Sequence, residues 1–473
     1  MASYDRLSAQ DRSFLDLEGP TTHMHVAGAF LFEKGSLATP SGGVDVDAIR
    51  DYVASRLHRI PRYRQRIAWI PIENHPVWVD DDRFNIHYHV RHTALPAPGD
   101  ERQLKRFCGR VLSQQLDRGK PLWEIWVVEG LEHDRFALVT KTHHCMVDGV
   151  SGVDLLAVLL SPTPEKEHDP APGWYPNPVP GAGELLRDAM LRRLGMPLAL
   201  AGATVRALRD PAAALAGARD AFGGLGQALT SALSPAADTP LNRPIGPHRR
   251  FDWVGFDIAA VKRVKDRLGG TVNDVVLATV AGAVSRYLEQ RGVPRSRQRE
   301  LDFRAFCPVS VRADHERGTL GNRVSSIVAA LPIAEGDPRE RLARVREITS
   351  SLKQSKQALG AEVLTSVSEW TAPTLAALAA RLAFRNRLSN LVVTNVPGPQ
   401  IPLYLLGARM IETYPMVPLF ESQGLGIALF SYAGGLYWGF NADWDQFPDL
   451  HDFVVAIDQS FCELSEAAEA EGG

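Results

Sequence analysis

The chain has 473 residues, a net charge of −3 and an apolar fraction of 45%. This length exceeds what one hydrophobic core usually supports, so we expect two domains. The near-neutral charge argues against a general nucleic-acid binder. The cysteines are scattered and form no CxxC pair, which argues against a disulfide framework and a structural zinc site; they are Cys108, Cys145, Cys307 and Cys462. The N-terminus lacks the apolar core of a signal peptide, so we expect a cytoplasmic protein.

The first segment, up to about residue 160, combines strand and helix patterns. Residues 136–142 alternate as strand residues do, a further strand is expected over residues 26–32, and residues 47–57 fit a helix. A further amphipathic helix follows Gly149, because apolar residues recur at helical spacing up to Leu160. Mixed elements of this kind predict an α/β (α+β) fold.

A proline-rich and charged stretch over residues 162–180 predicts a linker. Residues 181–235 are rich in Ala, Leu, Gly and Arg and indicate helices that join two lobes. We therefore divide the chain into an N-terminal lobe (1–161), a connector (162–238) and a C-terminal lobe (239–473).

The C-terminal lobe is predicted to contain a long helix that begins after Thr271. Thr271 as N-cap, with Asp274 three residues later, fits a capping box. Strands are expected over residues 303–311 and 391–396, and a helix over residues 373–388. Two further strands, over residues 427–432 and 436–440, form a predicted hairpin.

The run from His143 to Gly149, HHCMVDG, stands where a predicted strand gives way to a helix. A histidine titrates near neutral pH, so His144 could take a proton from a hydroxyl and return it to a leaving group. Asp148 could anchor the turn through a buried ion pair, and Gly149 allows a backbone conformation that side chains disfavour.

Three other interpretations of this run stay open from spacing alone. The two histidines and Asp148 are metal-type ligands, but adjacent strand residues point to opposite faces and would not converge easily. Cys145 could be a nucleophile if its surroundings lowered the pKa of its thiol. His143 and His144 could also be a buried structural pair, which the spacing favours at least as much as catalysis.

The whole set of motifs resembles the bacterial wax ester synthase/diacylglycerol acyltransferase (WS/DGAT) family. The run from His143 to Gly149 matches its HHxxxDG signature, and further motifs follow in family order. They are Leu7 to Asp11, Phe14-Leu15, Met24 to Val26, Pro121 to Glu124, Leu241 to Gly246, Asn273 to Ala278, Pro308 to Arg312, Gly321 to Arg323 and Thr394 to Pro399. The resemblance covers nearly the whole chain and is loose only between residues 162 and 238.

The resemblance implies two chloramphenicol-acetyltransferase-like lobes with an active-site tunnel between them. Acyl-CoA and a diacylglycerol or long-chain alcohol would be the substrates, with no other cofactor and no metal. His144 would be the general base and His143 its support. Asp148 would play a structural role by pairing with an arginine, for which Arg64 and Arg66 are candidates.

The resemblance also places two further residues near the substrate. Asn273 could orient substrate or stabilise an oxyanion, with a plain helix-start role as the alternative. Trp123 could line the alcohol side, with a core tryptophan as the alternative. Gly398 and Pro399 are expected to shape a crossover between the lobes.

Lipid substrates predict a peripheral association with the inner membrane or with lipid droplets. Residues 185–208 combine arginines with apolar residues and could lie in a bilayer interface. The alternative is a helix packed across the lobes. Two other functions also stay open: a condensation-type transferase that uses carrier-bound acyl groups, and a non-catalytic lipid-binding protein of the same fold.

Overall fold

The computed structural model describes residues 4–146, 155–166, 169–191, 235–310, 324–354 and 388–471. The strands are β1 (Asp5–Arg6), β2 (His25–Glu33), β3 (Gln65–Ile70), β4 (His75–Asp80), β5 (Val90–Ala94), β6 (Trp123–Leu131), β7 (Arg135–His143), β8 (Arg249–Asp257), β9 (Arg304–Ser310), β10 (Val324–Ala330), β11 (Leu391–Pro397), β12 (Tyr404–Leu405), β13 (Ala408–Met416), β14 (Leu425–Tyr432) and β15 (Gly435–Asp443).

The helices are α1 (Ala9–Leu17), α2 (Val46–Arg56), α3 (Ile86–His89), α4 (Glu101–Leu112), α5 (Leu155–Leu159), α6 (residues 182–191), α7 (Ile258–Leu268), α8 (Val272–Gln290), α9 (Arg295–Gln298), α10 (Pro338–Gln354) and α11 (Leu450–Ala470). Short 3₁₀ turns cover Gly35–Leu37, Leu57–Arg59, Pro61–Arg64 and His144–Met146. The mixed α/β class predicted from the sequence is confirmed.

The first large sheet has the strand order β12-β13-β2-β7-β6-β5. β2 and β7 pair antiparallel, and their register places His25 opposite His143. One face of this sheet contributes Phe32 and Phe136 to a core that also contains Ile49 of α2. The other face packs against α4. β7 is therefore an inner strand, covered on both sides, and holds its C-terminal end rigidly.

The second large sheet has the order β10-β9-β11-β14-β15-β8, and its apolar core is shared with α7, α8, α10 and α11. The capping box at the start of α8 is present as predicted: Thr271 and Asp274 cap each other reciprocally. The predicted hairpin is also present, with Tyr432 opposite Gly435 and positive φ angles at Ala433 and Gly434.

The two lobes exchange a segment of chain. After β11 the chain passes through Gly398 and Pro399, enters the first sheet as β12 and β13, and returns to the second sheet as β14. A Cβ at Gly398 would come within 2.4 Å of the Ser431 carbonyl oxygen, so only glycine fits there. The predicted lobe boundaries at residues 161 and 239 do not include this exchange. They assign β13 to the C-terminal lobe, whereas its hydrogen bonds join it to the first sheet.

Part of the predicted linker is packed against the N-terminal lobe. The Trp174 ring lies 5.0 Å from the Arg64 guanidinium, and the Asn177 amide donates to Asp80 at 2.8 Å. α6 then buries Leu185 and Ala189 against the three-stranded sheet β1-β4-β3. Residues 192–208 of the proposed interfacial segment, and the predicted helix over residues 373–388 except for its last residue, lie outside the described residues.

Within the described ranges, no single helix combines the length and apolar character needed to cross a membrane. α7 and α8 are long and apolar enough only when taken together, and the pair is bent by 96° at the break between them.

Candidate active site

His143 and His144 mark the point where β7 ends and a 3₁₀ turn begins. The His143 amide donates to the Leu122 carbonyl at 2.9 Å, and the His144 amide donates to the Met24 carbonyl at 2.7 Å. Both backbones are thus fixed by neighbouring segments. Asp148 and Gly149, the other motif residues, lie outside the described residues.

The His144 ring is half-buried and stacks on Phe14 of α1, with ring centroids 3.9 Å apart and planes 25° apart. Stacking on a helix side chain restricts the rotation of the imidazole, while partial exposure leaves it accessible. A rigid, accessible imidazole suits a general base, because proton transfer needs a defined donor–acceptor geometry.

The His143 ring faces the opposite side and is buried. Its Nδ1 accepts a hydrogen bond from the Cys145 amide at 3.2 Å, so in the neutral ring the proton resides on Nε2. That Nε2 lies 3.6 Å from Oε1 of Glu18, and Nε2 of His25 lies 3.4 Å from the same oxygen. One carboxylate oxygen therefore lies close to two histidines, one on each of the adjacent strands β2 and β7.

Glu18 itself ends α1, where its amide donates to the Phe14 carbonyl. Burial alone would raise the pKa of its carboxyl, but the hydrogen bonds and charges of His143 and Arg118 outweigh burial and hold that pKa below its ordinary value. The Arg118 Nη2 donates to Glu18 at 2.7 Å. Burial, reinforced by Lys141 and His143, holds the pKa of His25 well below its ordinary value, so His25 is neutral at physiological pH.

Lys141 lies two residues before His143 on the same face of β7 and is also buried. Its ammonium group pairs with Glu124 at 2.7 Å and donates at 2.8 Å to the carbonyls of Val111 and Gln114. The Val111 carbonyl lies in the last turn of α4 and the Gln114 carbonyl just beyond its end, where a cation is favoured. Lys141 therefore ties the strand that carries the motif to α4.

The structure weighs against Cys145 as a nucleophile. The residue is 2% exposed, and burial, together with the charges of Asp11 and Glu18, raises the pKa of its thiol well above the ordinary value. Reactive thiols need the opposite shift. Over the described ranges, no group of three or more His, Cys, Asp or Glu residues is arranged to hold a metal ion.

The two arginines considered as partners for Asp148 have other contacts. Arg64 is buried, donates to the Ala54 carbonyl at 3.2 Å and lies against Trp174. Arg66 lies 4.0 Å from an Asp81 carboxylate oxygen. Because Asp148 lies outside the described residues, its pairing with either arginine stays a prediction.

Asn273 lies in the first turn of α8 and is exposed. Its side-chain oxygen accepts a hydrogen bond at 2.7 Å from Asn395 of β11, so its NH₂ group is what it can offer to a ligand. Both asparagines line a small depression in the second lobe that also includes Cys307 and Thr349. A role in substrate binding stays a prediction.

Trp123, the other predicted substrate residue, is fully buried at the start of β6. Its indole NH donates to the Tyr63 carbonyl at 2.8 Å, and its ring stacks on His89 at 4.5 Å. These contacts favour the alternative role of Trp123, that of a core tryptophan.

Glu18, His25 and Lys141 were not identified as site residues from the sequence. A signal for Glu18 exists, because Phe14 and Glu18 are four residues apart and therefore share one face of a helix. No local pattern, however, shows that this face meets the HH motif. His25 and Lys141 become site residues only through the pairing of β2 with β7 and the packing of α4.

Comparison with known proteins places this arrangement in a family. Residues 7–276 match the wax ester synthase/diacylglycerol acyltransferase catalytic domain, and residues 320–465 match the WS/DGAT C-terminal domain. A Mycobacterium tuberculosis protein named as a diacylglycerol O-acyltransferase, tgs1, is 32% identical over 97% of this chain and 96% of its own. A second protein of that organism with the same designation is 33% identical over 99% of this chain and 91% of its own.

Solved structures support the same assignment. The wax ester synthase/diacylglycerol acyltransferase from Marinobacter aquaeolei VT8 superposes with a TM-score of 0.70 and 28% identity, covering 98% of this chain and 100% of that one. The first condensation domain of the CDA synthetase shares the fold at a TM-score of 0.58 and 16% identity, covering 99% and 96% of the two chains. The chain has the two-lobed chloramphenicol-acetyltransferase-like fold and is an acyltransferase that belongs to the WS/DGAT family.

Proposed function

We propose that the protein transfers an acyl group from acyl-CoA to the hydroxyl of a diacylglycerol or a long-chain alcohol, with His144 as general base. The observation that carries this proposal is the setting of the His144 ring, which is half-buried and held against Phe14 where β7 ends. Membership of the WS/DGAT family supports the choice of acyl donor and acceptor.

In the proposed reaction, His144 removes the proton of the acceptor hydroxyl as the oxygen attacks the thioester carbonyl. The tetrahedral oxyanion collapses and breaks the carbon–sulfur bond. The departing thiolate of CoA then takes the proton back from the His144 imidazolium. Base assistance of this kind typically contributes about 10²- to 10⁴-fold. No acyl-enzyme is needed, in keeping with the buried, protonated thiol of Cys145.

The other motif residues have supporting roles in this proposal. His143, with its Nε2 proton directed towards Glu18, holds the turn that carries His144. Asp148 braces the same turn by pairing with an arginine, and Gly149 allows the backbone to change direction. The NH₂ group of Asn273 donates to the oxyanion across a tunnel between the lobes. Trp123 supports the wall on the alcohol side from within the core.

The lipid acceptor requires contact with the inner membrane or with a lipid droplet. α6 could both pack against the N-terminal lobe and contact lipid. Its Leu185 and Ala189 are buried, whereas Met190 and Leu191 are 54% and 60% exposed. Vesicle flotation tests this role. A variant with Met190 and Leu191 changed to serine should float less with vesicles than the wild type, and equal flotation would remove α6 from the docking surface.

The decisive experiment for substrate class is the release of free CoA with a panel of acceptors. Release from palmitoyl-CoA with dioleoylglycerol or hexadecanol, but not with short polar alcohols or amines, supports the proposal. Turnover only when the acyl group is attached to a carrier protein would establish a condensation-type transferase instead. If no combination of acceptor and acyl donor gives turnover, the protein is a non-catalytic lipid-binding protein.

A further inference from the structure

An open groove of about 1200 Å³ runs along the seam between the two lobes, beside α4 and the start of β8. It is separate from the depression at Asn273. Its charged lining is strongly cationic: six cationic side chains face two carboxylates, those of Glu101 and Asp252. The cations are Arg102, Lys105, Arg106, Arg110, Arg249 and Arg250. In a chain whose net charge is −3, such a concentration marks a site for an anion.

Three of these cations form a regular row. Arg102, Arg106 and Arg110 are exposed and spaced four residues apart on α4, so they share one helix face at intervals of about 6 Å. No carboxylate within the described ranges lies at salt-bridge distance from any of the three. Lys105, by contrast, is neutralised by Glu101 and Asp252. The row of arginines is therefore available to phosphate groups, which guanidinium binds in a bidentate manner.

The floor of the groove is built rigidly from both lobes. A Cβ at Gly109 of α4 would come within 2.8 Å of the Arg249 carbonyl oxygen, so α4 and β8 pack backbone to backbone. The Arg249 side chain is buried and donates to the carbonyls of Gly246, His248 and Thr21. Burial lowers the pKa of Arg249 to about 10, so it stays cationic at neutral pH. The packing of α4 on β8 and the buried Arg249 therefore form the cationic floor of the groove without a ligand.

The groove also offers a flat apolar surface. Trp444 is 45% exposed, and the Arg250 guanidinium lies 3.7 Å from its ring centroid. An aromatic ring beside a stacked guanidinium is a platform for a nucleobase. Unpaired arginines and a stacking platform in a concave site suit a nucleotide better than the flat surface of a bilayer.

We propose that this groove binds the 3′-phospho-ADP end of acyl-CoA, an inference that rests on the proposed use of acyl-CoA as donor. The row of arginines binds the phosphates, and the pair of Arg250 and Trp444 supports the adenine. The groove adjoins the site, because Arg249 on its floor reaches the carbonyl of Thr21 in the segment between Glu18 and His25. The pantetheine arm then extends from the seam towards His144.

The test compares two variants that each remove three exposed positive charges. One carries Arg102→Ala, Arg106→Ala and Arg110→Ala; the control carries Lys262→Ala, Arg263→Ala and Arg299→Ala, exposed cations of the second lobe. Steady-state kinetics with palmitoyl-CoA and dioleoylglycerol gives KM and kcat, and calorimetry with 3′,5′-ADP gives binding without turnover. Exposed ion pairs are weak singly, so we expect the groove variant to raise the KM for acyl-CoA about tenfold.

The kcat and the KM for dioleoylglycerol should stay within about twofold of the wild type, and the affinity for 3′,5′-ADP should fall in parallel with the change in KM. Lysine at the same three positions should restore part of the binding, because it keeps the charge but not the bidentate geometry, and the control variant should behave as the wild type. Unchanged KM and unchanged 3′,5′-ADP affinity in the groove variant, with normal wild-type turnover, would overturn this proposal and leave the proposed function intact.

Two other outcomes would also overturn it. If the groove variant loses flotation with phosphatidylglycerol vesicles while its KM for acyl-CoA is unchanged, the groove serves a lipid surface. If the wild type releases no CoA with any acceptor, the proposed function fails and this inference fails with it.

Discussion

The two lobes share an architecture but differ in what they bury near the site. Beside β7 the first lobe buries charged and titratable groups, among them Glu18, His25 and Lys141. At the start of α8 the second lobe instead presents neutral amides, and Asn273 accepts a hydrogen bond there from Asn395. Asp274, a carboxylate buried there, accepts hydrogen bonds from the hydroxyls of Thr271 and Thr349. This contrast supports our proposal that the proton transfer takes place in the first lobe.

This difference has a cost for the first lobe. Buried charges are stable only when every partner is in place, because removing one leaves the other uncompensated in a region of low dielectric. The groups around His143 are thus mutually dependent, whereas the amide pair of the second lobe can be disturbed at little cost. This asymmetry between the lobes determines how each should respond to substitution and to acid.

The largest effect is expected from Lys141→Met. Among the described salt bridges, the change leaves Glu124 with only its longer contact to Arg91, and it removes the bonds to the end of α4. We therefore expect a loss of about 3 kcal/mol in the free energy of unfolding. Lys265→Met, which breaks a surface pair with Asp266 in the second lobe, should change it by less than about 0.5 kcal/mol. Urea unfolding measures both. Equal losses in the two variants would contradict the asymmetry.

Glu18→Gln is expected to act on catalysis more than on stability. The neutral amide removes the negative charge that lies beside Nε2 of His25 and Nε2 of His143, so the turn that carries His144 loses its support. We expect kcat to fall by about 10- to 100-fold, with a shifted pH–rate profile and little change in either KM. Asp16→Asn, which removes a neighbouring carboxylate that pairs with Arg12 in α1, is the matched control. A purely structural Glu18 would leave the pH profile of the remaining activity unmoved.

Acid should loosen the first lobe before the second. Burial lowers the pKa of His75 and of His89 to about 4, and holds that of His25 well below its ordinary value of 6.5. These histidines are neutral when folded but protonate in the unfolded chain below pH 6.5. Stability is therefore full above pH 6.5 and falls between pH 6.5 and about 4, by up to about 1.4 kcal/mol per pH unit for each group.

Hydrogen exchange measured at pH 7.5 and 5.5 resolves the two lobes. Amides of β6 and β7 should lose protection at the lower pH, corrected for the intrinsic exchange rate, while amides of β14 and β15 keep theirs. An equal loss in both sheets would show that the buried histidines do not set the acid response.

The smallest effect is expected from Asn273→Ala. Loss of one neutral hydrogen bond to a developing oxyanion is worth about 0.5–1.5 kcal/mol, so kcat should fall by about three- to tenfold. Asn395→Ala, which frees the Asn273 oxygen without removing its NH₂ group, should be milder. A loss in Asn273→Ala as large as that in a variant lacking His144 would place proton chemistry in the second lobe as well.

Elements defined by neighbours in sequence could be predicted. The capping box at Thr271 and the hairpin turn at Ala433 and Gly434 depend on a few adjacent residues, and both are found where the sequence indicates. The position of the HH motif at the end of a strand follows from alternation along β7 in the same way.

What could not be predicted depends on contacts between distant segments. Pairing of β13 with β2 joins residues almost four hundred positions apart, and no local pattern encodes it. Glu18 acquires its role in the same way, because α1 meets β7 only after the sheet has formed. The basic row on α4 is visible as three arginines in the sequence, but their groove requires β8 from the other lobe.

In the proposed mechanism His144, and no other group, supplies the base. The most direct measurement is single-turnover release of CoA from palmitoyl-CoA and dioleoylglycerol by His144→Ala, with the exposed His87→Ala as control and circular dichroism to confirm folding. We expect a loss of at least about 10²-fold in His144→Ala, a milder loss in His143→Ala, and wild-type rates in His87→Ala. A folded His144→Ala variant that releases CoA at near-normal rates would contradict the proposed mechanism.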